Sequence, residues 1–264
     1  MIGMGILRLL YRIPWLLVHM LIGLPLTLLS IATPVRAIRL DARSLDDIML
    51  NWWSGMTCRI FGLERSIQGR FQPGAQLVVA NHISWLDIQL LHSISPMGFV
   101  AKAEIQNWKL AGKAASIGGT VFHQRGSHDS SSGVLTLMVQ RLAQGRKVAI
   151  FPEGGILPGD GVKRFHARMF AAAIESGLPV QPVMIRYLRD GRHYPDMTFL
   201  RGEHFMANLF RLLRQRRCIA EVSILPAIDP AGKRRRELAL EAEAVVRAAF
   251  ERENGSDELK FAHG

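Results

Sequence analysis

In "VVANHISWLDIQLL", residues 78–91, a histidine and an aspartate stand five positions apart, His82 and Asp87. A carboxylate that holds one imidazole nitrogen leaves the other as a general base, so this pair could take a proton from a hydroxyl. Two other stretches carry polar groups of related use. "FPEGG", residues 151–155, sets Glu153 in a glycine turn, where an acid can bind an acceptor or orient a basic side chain. "GTVFHQR", residues 119–125, ends on Arg125, whose planar guanidinium suits bidentate contact with a phosphate. Each also has a plainer reading. Ser84 with Asp87 resembles a capping box for a helix opening at Trp85, turn chemistry alone accounts for the glycines, and Arg125 could be a solvated loop residue. A nucleophilic triad lacks its G-x-S-x-G elbow, and no H-E-x-x-H or Walker A sequence occurs. His123 and His128 lack the acidic or cysteine company of a metal site. The simplest chemistry left is a base that activates a hydroxyl belonging to a substrate.

These residues need elements to position them. "QLVVA" (76–80), "GFVAK" (98–102), "GTVFH" (119–123), "KVAIF" (147–151), "PVQPVMIRY" (179–187) and "CIAEVSIL" (218–225) read as strands. Residues 86–94, 107–117, 131–145, 168–177, 201–215 and 235–253 read as helices, with glycine stops at 145 and 177. The alternation predicts an α/β fold with a largely parallel, buried sheet flanked by helices. Functional residues of such sheets gather beyond the carboxyl ends of strands. Asn81 and His82 follow the first strand, Arg125 the third, and Glu153 with Gly154 the fourth, so three strand ends could deliver polar groups to one site.

The chain of 264 residues, 48% hydrophobic, suffices for one generous domain, or for one domain with an appendage. We expect N-terminal membrane-embedded or anchoring helices over 1–64, an α/β domain over 65–255 and a frayed tail over 256–264. From Ile13 to Val35 no charged residue occurs, a length that would cover the hydrocarbon core as a helix, roughly 20 residues. Arginines on both flanks leave its orientation open, and Pro14, Gly23, Pro25 and Pro34 suit a broken hairpin as well as a straight span. The stretch is too long for a signal-peptide core and ends in no clear cleavage site. Residues 49–63 form a second apolar stretch, whose Trp52 and Trp53 suit an interface or a core. Lys plus Arg (33) exceed Asp plus Glu (22), which predicts an anionic partner. "RLLRQRR" (211–217) and "KRRR" (233–236) carry no interleaved aromatics, so they suit lipid headgroups or an acidic carrier, and no nucleic-acid partner is expected. Cys58 and Cys218, far apart, read as buried free thiols.

Taken in order, these segments resemble the glycerolipid acyltransferase family, above all its bacterial lysophosphatidate (1-acyl-glycerol-3-phosphate) acyltransferases. "NHISWLD" is similar to the block N-H-x-S-x-x-D, which implies His82 and Asp87 as the catalytic pair, with Asn81 and Ser84 in support. "GTVFHQR" resembles G-x-x-F-x-x-R, placing Arg125 on the acceptor phosphate beside Gly119 and Phe122. "FPEGG" resembles F-P-E-G-T and maps Glu153 and Gly154 onto acceptor binding, and "GLPVQPVMI" (177–185) resembles the fourth block, with Pro182 at its marked position. The family continues F-P-E-G-T-R-S where this chain reads "FPEGGIL", and it has an acid where this chain has Gln124. Both departures lie on the acceptor side, where Lys163 and Arg164 could restore positive charge. The resemblance implies acyl transfer from acyl-CoA or acyl carrier protein (acyl-ACP), as co-substrate, to the free hydroxyl of lysophosphatidate. A lyso-aminolipid or glycerol-3-phosphate is the alternative acceptor, and a catalytically silent lipid-binding protein the alternative class. It further implies no cofactor, no metal, membrane lipids as partners, and a place on the cytoplasmic face of a bacterial inner membrane.

Overall fold

The structure, a computed structural model, describes residues 2–31, 38–40, 43–102, 121–123, 128–156 and 161–262. It opens with helix α1 (Ile2–Val18), which passes through a π turn (His19–Gly23) into α2 (Leu24–Ile31). Residues 3–31 form one continuous helix, long and apolar enough to cross a membrane. Pro14 lies inside α1 and Pro25 in the first turn of α2, so neither breaks the helix into a hairpin. The short strands β1 (Arg39–Leu40) and β2 (Arg43–Ser44) pair with each other and lead into α3 (Leu45–Ile60).

After α3 come β3 (Leu63–Gln68), β4 (Leu77–Ala80), α4 (Leu86–His92), β5 (Gly98–Lys102), β6 (Val121–His123), α5 (His128–Ala143) and β7 (Val148–Ile150). They are followed by a 3-10 turn (Ala167–Phe170), α6 (Ala171–Ser176), β8 (Val180–Arg189), β9 (Arg192–His193), α7 (Phe205–Arg214), β10 (Cys218–Ile224) and α8 (Arg235–Ala262). Among the described residues the sheet runs β3-β10-β8-β4-β7-β5-β6, with β9 added to β8. The block β8-β4-β7-β5-β6 is parallel, β10 is antiparallel to β8, and β3 is parallel to β10. The expected α/β architecture, largely parallel and flanked by helices, is present.

Two differences concern its margins. β3 reads "LERSIQ", mostly polar and exposed, and sequence patterning does not reveal it because an edge strand buries little. It begins at Leu63 and so crosses the point where the N-terminal segment was expected to hand over to the α/β domain. α8 continues to Ala262, beyond the 235–253 stretch and through the tail expected to fray. The expected helix at 107–117 lies outside the described residues.

The side-chain alternation of each strand feeds two cores. Val78 and Ala80 of β4 pack with α3 and α4, whereas Leu77 and Val79 pack against α5, α6 and α8. Because both faces are covered, β4 and β7 are buried at every position and read as unbroken apolar runs. Gly177, in the left-handed region (φ 67°), ends α6 and turns the chain into β8. Cys58 and Cys218 are buried free thiols, each pushed by burial up to about 12.

α1 is fastened to the α3–α4 face of the domain. The buried Arg12 donates to Leu213 O (3.0 Å) and Gln215 O (2.9 Å), satisfying carbonyls left over at the end of α7. Gly62, at φ 75°, leaves room for that guanidinium where a Cβ would collide with it. The two adjacent tryptophans divide their work: Trp53 stacks on His19 with ring centroids 3.8 Å apart, whereas Trp52 stays exposed.

Candidate active site

Ala80 ends β4, and the chain must then leave the sheet and start α4. Asn81 makes the exit orderly: its amide donates to Ile185 O (2.8 Å) and accepts from Ile185 N (2.8 Å), a side-chain copy of a ladder pair between β4 and β8. Its expected supporting place is therefore structural. The next residue, His82, is thrown over the sheet edge with its backbone already oriented.

Asp87, in the first turn of α4, is completely buried. Its Oδ2 accepts from His82 Nδ1 (2.9 Å) and from the backbone N–H groups of Ile83 (2.8 Å) and Ser84 (2.9 Å). Ser84 Oγ accepts from Leu86 N at 3.4 Å. Contact with the loop backbone and contact with the histidine are thus work of one carboxylate. The helix itself starts at Leu86, where the 86–94 reading put it, one residue after the Trp85 start of the capping-box reading. An ionised carboxylate only accepts, so Nδ1 carries the proton and Nε2 keeps its lone pair. The His82 side chain is 11% exposed, enough to leave one edge open.

Two partners of this pair escaped sequence reasoning. Tyr187, buried at the far end of β8, donates its hydroxyl to Asp87 Oδ1 (2.6 Å). Burial, with Asp87 adding to it, holds the phenol well above its usual range, so Tyr187 stays a donor. A tyrosine closing an apolar strand is the one signal available, since a buried hydroxyl needs a partner, but the sequence does not say which. Phe151, just past β7, lies flat on the His82 ring, centroids 3.8 Å and planes 10° apart.

Glu153 arrives from the neighbouring strand β7. It is 5% exposed, and its two oxygens accept from His82 N (3.2 Å) and Lys163 N (3.0 Å). Burial raises its pKa above the usual carboxylate value, and those two backbone bonds oppose the rise. Glu153 was expected on the acceptor; in the structure its carboxylate accepts from two backbone amides and ties the His82 loop to the 161–170 segment. Gly154, in the left-handed region (φ 82°), donates to Phe151 O (3.1 Å) and closes the turn. Pro182 lies in β8 in register with Val79, behind the pair.

Of the sequence-derived candidates, the structure therefore joins Asn81, His82, Ser84, Asp87, Glu153 and Gly154 at the carboxyl ends of β4 and β7. Phe122 lies in β6 with its backbone in register with Ala101, and Gly119 and Arg125 lie outside the described residues. Among the described residues no three His, Cys, Asp or Glu side chains are grouped to hold a metal.

A family model described as "Acyltransferase" matches residues 63–186. The chain is 39% identical over 214 residues to the lyso-ornithine lipid O-acyltransferase of Pseudomonas aeruginosa, covering 80% of this chain and 81% of that protein. The chain belongs to the glycerolipid acyltransferase family. This acyltransferase is also 37% identical over 126 residues to the 1-acyl-sn-glycerol-3-phosphate acyltransferase of Neisseria gonorrhoeae, a match covering 48% of the chain and 49% of the relative. Its fold matches the crystal structure of the lysophosphatidate acyltransferase PlsC from Thermotoga maritima with a TM-score of 0.69 at 19% identity, over 94% of this chain and 96% of that one. In the acyltransferase, the matched stretch runs from β3 into β8 and contains both the His82–Asp87 corner and Glu153.

Proposed function

We propose that this enzyme transfers an acyl group from a thioester, acyl-CoA or acyl-ACP, to the free hydroxyl of a lyso-lipid, with His82 as the general base. The observation that carries this reading is the 2.9 Å bond from His82 Nδ1 to Asp87, which leaves Nε2 as the basic nitrogen. His82 Nε2 takes the hydroxyl proton, the alkoxide adds to the thioester carbonyl, and a tetrahedral oxyanion forms. Collapse breaks the C–S bond, and the imidazolium returns the proton to the departing sulfur. Asp87 holds the ring and Tyr187 disperses the charge on that carboxylate; Glu153 and Asn81 fix the backbone that presents the ring.

For the acceptor, an aminolipid of the lyso-ornithine type takes precedence over lysophosphatidate. The Pseudomonas relative matched along most of its length is named for that substrate, and "FPEGGIL" departs on the acceptor side from the F-P-E-G-T-R-S of the resembled family. Lysophosphatidate is the second reading, supported by the four sequence blocks and the Neisseria relative. A bilayer contact for the 3–31 helix accompanies either acceptor. Leu7, Leu10, Trp15, Leu21 and Leu29 are among its exposed apolar residues, a surface that water does not favour and lipid does. Acyl thioesters are made in the cytoplasm, which places the site on that face of the membrane.

The test is a panel of lyso-lipids offered to detergent-solubilised protein with a labelled acyl thioester. We expect product from lyso-ornithine lipid that falls by roughly 10²–10⁴-fold in His82→Ala. Product from lysophosphatidate alone moves the enzyme to the second reading, and a His82→Ala variant of unchanged rate removes the proposed base.

A further inference from the structure

The sheet separates two surfaces of opposite character. The 3–31 helix packs with α3, α4 and α7 on one face, whereas the 3-10 turn at Ala167–Phe170 and α8 cover the other. On that second face a cleft of about 300 Å3 opens between the 164–168 segment and the start of α8. Arg164, Arg168, Arg235 and Arg236 line it, together with Phe165 and Leu240. All four arginines are exposed. The acids nearby on α8 are engaged: Glu237 with Arg234, Glu241 with Lys233, and Glu243 with Arg247 and the Phe165 N–H. Leu240, which lines the same cleft, is 64% exposed.

The cleft is joined to the reacting corner. His166, one of its lining residues, donates its backbone N–H to Pro152 O (2.8 Å), and the adjacent Phe151 is the ring stacked on His82. Lys163, just before Arg164, is tied through its N–H to Glu153. The 163–166 side of the cleft is therefore tied to the same end of the sheet as the base, on the layer turned away from the apolar helix.

We infer that this cleft is the docking surface for an acidic carrier protein that delivers the acyl thioester, with Leu240 as the apolar contact inside an arginine rim. The inference rests on the acyl-transfer reading above and names the source of its donor. Exposed arginines around an exposed aliphatic residue match the make-up of a protein interface, with a charged rim that steers encounter and a small apolar centre. A nucleotide held through its phosphates would instead call for donors fixed and buried in the cleft, and the buried lining residues here are the apolar Phe165 and Ala239. A membrane contact does not suit a face opposite the lipid-seeking helix. Lipid acceptor and carrier-borne donor then reach His82 from the two sides of the sheet, without competing for one surface.

The experiment uses the full chain in detergent with purified acyl-ACP and acyl-CoA as separate donors, comparing wild type with Arg235→Glu/Arg236→Glu. The milder Arg235→Gln/Arg236→Gln serves if charge reversal lowers the unfolding midpoint. We expect KM for acyl-ACP to rise roughly tenfold or more, as losing charge pairs at an interface rim should. The KM for the lyso-lipid and the rates with acyl-CoA should stay near wild type. Wild-type use of acyl-CoA alone, an unchanged KM for acyl-ACP in the variants, or loss of anionic-vesicle binding with equal damage to both donors would each overturn the docking surface. A wild type that transfers from neither donor instead counts against the acyl-transfer reading. In that case direct titration with the carrier decides the docking question: salt-sensitive binding that the arginine variants lose supports it, and no binding overturns it.

Discussion

Two histidines, one in the loop before α4 and one closing that helix, lean on the same aromatic pair. His82, before the helix, stacks on Phe151; His92, its last residue, meets Phe99 edge-on at 4.9 Å, and the two phenylalanines stack on each other at 5.7 Å. What differs is polarity. His82 has the Asp87 carboxyl group on Nδ1 and an open edge, whereas His92 Nδ1 has no hydrogen-bond partner among the described residues. Burial alone lowers His92 to about 4, so it stays neutral at ordinary pH. An aromatic wall does not make a base. A fixed counter-charge and one accessible nitrogen do.

Replacing Asp87 is the largest test of that contrast. Asp87→Asn keeps the shape of the corner and removes the charge that faces Nδ1, so kcat should fall by roughly 10²–10⁴-fold with the KM for the lyso-lipid little changed. Equal losses in kcat and affinity would show that Asp87 mainly shapes the binding surface. Tyr187→Phe deletes only the 2.6 Å bond to Asp87 Oδ1. A hydrogen bond to a charged group contributes about 1.5–3 kcal/mol, and with the carboxylate's other partners in place we expect roughly tenfold loss in kcat. A variant with wild-type kcat would reduce Tyr187 to a packing residue.

The smallest expected change in activity belongs to the other end of the helix. His92→Leu should leave transfer rates near wild type, because that ring meets no reacting group. Its effect is on stability in acid. A histidine whose folded pKa lies below the unfolded value near 6.5 favours folding at higher pH, and that contribution is lost as pH falls from there towards about 4. Unfolding midpoints measured from pH 7 down to pH 4 should therefore drop more steeply for wild type than for His92→Leu. The full difference is roughly 3 kcal/mol at the acid end. Parallel curves would mean that His92 titrates normally, and the contrast with His82 would lose its electrostatic half.

Much of the sheet was legible because its strands are buried on both faces. β4, β5, β7, β8 and β10 announce themselves as short apolar runs, and the polar residues that follow β4 and β7 fall at carboxyl ends as parallel topology requires. The polar edge strand β3 was not legible, since its place depends on pairing with β10, more than a hundred residues later. Within the site, His82 and Asp87 were visible because a helix start brings positions five apart together. Tyr187 was hidden by a separation of 100 residues, and Phe151 looked like the last residue of a strand. The role of Glu153 was also hidden: an acid in a glycine turn is open to many partners, and it was the packing of β7 beside β4 that turned it towards the His82 backbone.

By itself, then, the sequence determined the local things: an apolar N-terminal helix, alternating strands and helices, and a histidine within reach of an aspartate. Periodicity and short-range chain geometry suffice for those. Only the tertiary structure decided that Asp87 is dry and held by four donors, that Glu153 braces backbone, and that the arginines of two distant segments converge on one cleft. Desolvation and convergence depend on which elements pack together, and no spacing along the chain encodes that.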